Sequence, residues 1–269
     1  MLSLNLDASP YHFQATSLRD GRTKIIASRA KPSSCVLFVH GFGGDALETW
    51  HGFDSEALKS PELTNTDLVF FGYDGVRSNA LASSSFLFEL MSELLTGPDK
   101  WLQAVREKTE PYKRCVIVAH SLGAVVSRWT LLRAYHEQCP WIENIRYLLF
   151  APAHSGGIVV DSVSELLSAS VITKTLGNIA KVGVPLLKEL APGSPVLKSL
   201  EDQTRAAVEK GCVTLRANRV VIAEYEDIVS NLPFASDPYP TAVRDTKHTS
   251  VCKPAECRDA IKYVTELLA

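Results

Sequence analysis

The sequence predicts an α/β fold with a mostly parallel central sheet and helices on both faces. Short, nearly continuous apolar runs recur at 35–39, 68–71, 115–119, 145–150 and 219–223. Strands this apolar on both faces must be covered on both, which is the habit of parallel sheets. Helical patterns separate the runs, and the alternation makes the fold doubly wound. Apolar residues at 46% and charged residues at 22% supply a core of ordinary size and exclude a disordered chain.

The elements follow in order. Residues 13–26 supply one or two antiparallel edge strands that turn at Asp20-Gly21. Helical patterns cover 81–108, broken at Gly97-Pro98, then 122–137 and finally 255–268. From Ser155 to Gly211 no strand-like run occurs, an excursion too long for a plain loop. It reads as a helical cap inserted before the last long strand, with 1–154 and 212–269 forming the core. Within it Val159, Val163, Leu166 and Leu167 recur at helical spacing, as do Ile172, Leu176 and Ile179.

Several classes are excluded. A net charge of -2, with Lys and Arg scattered, offers no field to hold nucleic acid. The first residues lack the basic and apolar regions of a signal peptide, and no apolar run is long enough to span a bilayer. A cytoplasmic protein is therefore expected. In that compartment the 6 Cys read as buried thiols, with Cys35 and Cys115 as neighbours on adjacent strands. Cys252 and Cys257 are too isolated from other soft ligands to suggest zinc, and no metal is expected.

The chemistry is clearest at Ala119-His120-Ser121-Leu122-Gly123, which follows a buried strand and opens a helix. A serine in that sharp turn projects its hydroxyl above the sheet, and small residues two before and two after relieve the crowding. Ala119 stands where glycine is usual and is still small. Ser121 is the expected nucleophile. The Leu122 amide, at the helix N-terminus, is one oxyanion donor. The second comes from His40-Gly41-Phe42-Gly43-Gly44, where Phe42 offers its amide and Gly41 and Gly43 let the backbone approach the substrate. His40 is expected to pin this loop. The same loop also fits a dinucleotide fingerprint, but no acidic residue ends the next strand. Ser250-Val251-Cys252-Lys253 matches S-x-x-K by chance, since its partner motifs are absent.

The acid and base of such a triad follow the serine in that order. Among the histidines only His248 falls late, between the last strand and the last helix. His154 follows a strand end and is expected to line the substrate site. Asp227 is favoured as the acid because Ile228-Val229 resumes apolar packing directly after it, and Glu226 is the runner-up.

Together the Gly-rich loop at 39–44, the elbow at 119–123, Asp227-Ile228-Val229 and the stretch 247–254 resemble the lipase-like serine esterases of the α/β-hydrolase superfamily. The branch suggested is that of PGAP1-like and SERAC1-like serine esterases, and Leu190-Ala191-Pro192-Gly193-Ser194-Pro195 looks like a segment of their caps. The resemblance runs from about Val36 to the C-terminus. It implies the α/β-hydrolase fold, hydrolysis of a small-molecule acyl ester and no cofactor. Ala153-His154-Ser155-Gly156 departs from the Pro-His-x-Gly phrase frequent in lipases, which leaves the substrate open. Two other readings stand beside it. One is a phospholipase or membrane-surface lipase that touches lipid transiently through stretches such as 182–187. The other is a non-catalytic interaction module, which has no physical need of an intact triad.

Overall fold

The structure is a computed structural model and describes residues 16–18, 21–30, 32–57, 59–76, 78–97, 110–156, 189–230 and 232–269. The strands are β1 (Thr16–Ser17), β2 (Lys24–Ile26), β3 (Ser34–Val39), β4 (Asp67–Phe71), β5 (Arg114–His120), β6 (Ile145–Phe150), β7 (Arg219–Tyr225) and β8 (Thr241–Lys247). They form one 8-stranded sheet in the order β1-β2-β4-β3-β5-β6-β7-β8. β1, β2 and β4 pair antiparallel, and every pairing from β4 across to β8 is parallel. The five apolar runs are β3 to β7, and the expected edge strands are β1 and β2. Cys35 and Cys115 are register partners on β3 and β5, and all six cysteines are free thiols.

β8 is a strand that no apolar run announces. It lies at the edge of the sheet, and only Thr246 of its residues is buried. Arg244, Asp245 and Lys247 on such an edge discourage pairing with another chain, and Asp245 at φ 57 breaks its regularity.

The helices are α1 (Phe53–Ala57), α2 (Ala80–Thr96), α3 (Leu122–His136), α4 (Pro195–Glu209) and α5 (Ala260–Leu268). α3 packs against α2 and α4, while α5 packs against β5, β6 and α1. β5 is buried along both faces beyond Arg114, which requires this cover on each side. α2 begins cleanly because two acceptors meet its free amides. The Asn79 side chain accepts from Ala82 N at 2.7 Å, and Glu189 Oε2 accepts from Ala80 N at 3.2 Å. Among the described residues no helix is long and apolar enough to cross a membrane.

Most of the expected cap, residues 157–188 with its helical stripes and the 182–187 stretch, lies outside the described residues. So does 98–109, the end of the expected 81–108 helix. The C-terminal part of the expected cap is described. There α4 buries Leu197, Leu200, Thr204 and Ala207 and seats itself on α3. The two ends of the excursion meet. A Cβ added to Gly156 would lie 2.7 Å from Pro192 Cα and 3.1 Å from the Leu190 carbonyl oxygen. Gly156 also adopts φ 90, a backbone conformation suited to glycine.

Candidate active site

β5 ends at His120 and α3 starts at Leu122, so the whole turn falls on Ser121. Its backbone sits at φ 54 and ψ −121, a region side-chain-bearing residues rarely enter. Three backbone hydrogen bonds hold it there. Ser121 N donates to the Phe150 carbonyl at 3.0 Å, while Ala124 N and Ala153 N donate to the Ser121 carbonyl at 3.1 and 3.2 Å. The turn also needs Gly123, because a Cβ there would fall on the Val39 carbonyl oxygen and 2.6 Å from that of His40. Ala119 is fully buried, so its small side chain fits where glycine is usual.

The serine side chain does not cap its own helix. The Leu122 amide finds no acceptor among the described residues, and neither does that of Phe42. Both are thus available to an oxyanion. The Gly-rich loop lies against the serine: a Cβ on Gly41 would come within 2.9 Å of Ser121 Cβ. Gly43 takes φ 62, and Gly44 N closes the turn on the Gly41 carbonyl at 3.2 Å. His40 pins this loop. Its Nδ1 donates to the Gly41 carbonyl at 2.8 Å, its ring stacks on Tyr73 at 4.2 Å, and the Tyr73 hydroxyl donates to its carbonyl at 2.7 Å. Burial lowers the His40 pKa and keeps the ring neutral.

His248 follows β8 and is buried. Its Nδ1 donates to Glu226 Oε1 at 2.9 Å, and both side chains are 1% exposed. Its Nε2 is buried and makes no hydrogen bond among the described residues, leaving an acceptor for a proton. The carboxylate that meets His248 is thus Glu226, the runner-up, and not the favoured Asp227. Asp227 is exposed, whereas Glu226 turns inward. The reason is local. Ile228 N and Val229 N both donate to Glu226 Oε1 at 3.1 Å, so the chain just after β7 wraps around that carboxylate. The inward return of Ile228 and Val229 was legible, but it aims the residue before Asp227.

His154, expected at the substrate site, is placed in a buried cluster. It sits in a short 3-10 turn after β6, is 3% exposed, and tilts its ring against that of Phe234 at 4.3 Å. Its Nε2 accepts from Arg128 Nε at 3.4 Å. Burial, and then the charge of Arg128, holds its pKa well below the usual imidazole value. It borders a cavity shared with Phe234 and Asp237 that neither Ser121 nor His248 lines. Arg128 itself is fully buried on α3. It pairs with Asp237 at 2.6 Å, donates to the Leu215 carbonyl and lies 4.7 Å over the Phe234 ring. Sequence reasoning passed over it. Its apolar flanks, Val125, Val126, Leu131 and Leu132, were the available signal.

The rival motifs do other work. The loop at 41–46 packs on the elbow, and Ser250 bonds to Lys247 in a turn. No group of three or more His, Cys, Asp or Glu among the described residues is placed to hold a metal ion.

Solved structures share this architecture. The chain aligns with lipase BlEst2 of Bacillus licheniformis at a TM-score of 0.55 and 16% identity, covering 88% of this chain and 93% of that one. Carboxylesterase CesB of Bacillus subtilis aligns at 0.54 and 17%, covering 98% and 94%. The peroxisomal alpha-beta-hydrolase Lpx1 of Saccharomyces cerevisiae aligns at 0.52 and 11%, covering 92% and 82%. At these identities the likeness shows the fold alone, and the fold is that of the α/β-hydrolases. No curated protein matches the chain by sequence. A family model does, over residues 29–163, which is half of the chain and includes the Gly-rich loop, the elbow and the turn that follows β6. By that match the chain belongs to the family described as "Putative serine esterase (DUF676)".

Proposed function

We propose that this protein hydrolyses carboxylic esters through a Ser121, His248 and Glu226 triad and an acyl-enzyme. One observation carries the reading: a serine held at φ 54 between strand and helix, whose chain neighbour His120 stands 4.8 Å ring to ring from His248 of a buried His248–Glu226 pair. Neutral His248 keeps its Nδ1 proton on Glu226 and takes the Ser121 hydroxyl proton at Nε2 while Oγ adds to the ester carbonyl. The carbonyl electron pair moves onto oxygen, where the amides of Phe42 and Leu122 receive it. Gly41 and Gly43 let the loop backbone approach the substrate there. Collapse breaks the bond to the alcohol, which departs with the Nε2 proton. Water then gives a proton to Nε2 and adds to the acyl carbon; the bond to Oγ breaks, Oγ takes the Nε2 proton and the acid leaves, restoring Ser121 and neutral His248. Glu226 fixes the tautomer and stabilises the imidazolium without itself taking the proton.

The test combines fluorophosphonate labelling with a chain-length series of p-nitrophenyl esters. The wild-type protein should label and turn over at least one ester, and Ser121→Ala should do neither while keeping its circular dichroism. Labelling that persists in Ser121→Ala would place the nucleophile elsewhere.

A further inference from the structure

The triad leaves one histidine at the elbow without a task. His120 ends β5, directly before the serine, and is 6% exposed. Its Nε2 lies 2.8 Å from the main-chain oxygen of His248. A carbonyl only accepts, so Nε2 carries the proton and Nδ1 of the neutral ring is an acceptor. That Nδ1 is buried, meets no donor among the described residues and borders Gly41. The ring stands 4.8 Å from the His248 ring and edge-on to Trp50 at 6.4 Å. Burial and then the His248 charge lower its pKa to about 3; the bond to the His248 carbonyl opposes this, and His40 and Lys253 add to it. A second protonatable ring beside the base is thus kept neutral.

The need for such a contact follows from the topology. His248 stands just past β8, the edge strand, while Ser121 stands just past β5. β6 and β7 intervene, so the base must reach back over about three strand spacings, roughly 14 Å. We propose that His120 is a positioning residue for the base: its Nε2–H anchors the main chain of His248, so that the imidazole, fixed at its other end by Glu226, presents Nε2 to Ser121. This rests on the esterase reading above. The competing account is that His120 merely fills space against Trp50.

Two substitutions in the full chain separate these accounts. His120→Phe keeps a ring of similar size and loses the N–H. His120→Gln loses the ring and offers an amide N–H at about the same reach. With p-nitrophenyl butyrate, His120→Phe should lower kcat by roughly 10- to 100-fold with KM little changed, the scale of a catalytic group displaced by about 1 Å. His120→Gln should recover most of that loss. Wild-type kcat in His120→Phe, or a Phe variant at least as active as the Gln variant, overturns the proposal.

A measurement on the wild-type chain does not depend on either variant folding. In nitrogen-15 spectra of the histidine rings, His120 should be the neutral Nε2–H tautomer and remain so to about pH 4, as its lowered pKa requires. An Nδ1–H tautomer, or protonation near 6.5, overturns it. A wild type that neither labels with fluorophosphonate nor cleaves esters would refute the esterase reading itself. The ring spectra would still report whether His120 is locked to His248.

Discussion

Replacing Glu226 by Gln removes a charge from a side chain whose hydrogen bonds all converge on one oxygen. His248 Nδ1, Ile228 N and Val229 N donate to Oε1, while Oε2 is buried and has no partner among the described residues. Three donors exclude an amide NH2 from the Oε1 position, so the substituted side chain must present its oxygen there. The Nδ1–H tautomer of His248 survives, and the variant tests charge with little change of geometry. An imidazolium and a carboxylate with charge centres about 4 Å apart interact by about 4 kcal/mol at an effective dielectric of about 20. Losing that from the transition state slows kcat by roughly 10³-fold. The new NH2, buried without an acceptor, should also destabilise the fold by about 1 to 3 kcal/mol. The assay is kcat on p-nitrophenyl butyrate with a urea titration of the same samples. Asp227→Asn is the control and should stay within about twofold of wild type, because Asp227 is exposed. If Glu226→Gln keeps more than about a tenth of wild-type kcat, or Asp227→Asn falls as far, the assignment of the acid is wrong.

Other consequences are equally specific. Gly123→Ala should cost about 3 kcal/mol or more, since its methyl falls on the Val39 carbonyl and α3 cannot retreat without leaving β3; an unchanged urea midpoint would contradict this. Arg128→Ala leaves Asp237 buried and unpaired and should destabilise by about 3 to 5 kcal/mol in the same titration. A loss below about 1 kcal/mol would mean the pair is dispensable. Acid should unfold the protein early. Burial lowers the pKa of His40, His120 and His154 below 6.5, so below that pH the unfolded chain binds protons that the folded one refuses. Their contribution is complete above pH 6.5 and is lost as the pH falls toward the folded values, about 3 for His120. The slope approaches about 4 kcal/mol per pH unit when all three differ by a full proton. A stability that is flat from pH 7 to 4.5 would show the three rings already charged, or accessible, in the fold.

The buried strands and the elbow were legible because each leaves a contiguous signal. A strand covered on both faces must be an apolar run, and a serine forced between strand and helix needs small neighbours. β8 left no such mark. Its outward positions face water and carry Arg244, Asp245 and Lys247, so its pairing with β7 is a fact of backbone hydrogen bonds. Which carboxylate meets His248 was illegible for a related reason. Two amides downstream select Glu226, and composition does not encode which carboxylate a turn encloses. Arg128 reads as a surface charge on a helix until Leu215, Phe234 and Asp237 close over it. His154 falls after β6, and its ring joins that same cluster.

The contact between Gly156 and Pro192 has an evolutionary consequence. The described residues on either side of 157–188 meet in van der Waals contact, so the number and sequence of the residues between them are not dictated by the span they must bridge. A short turn joining Gly156 to Leu190 would close the same sheet around the same elbow. That segment could be exchanged as a cassette, whereas Glu189, whose carboxylate caps α2, belongs to the chassis and should travel with the core.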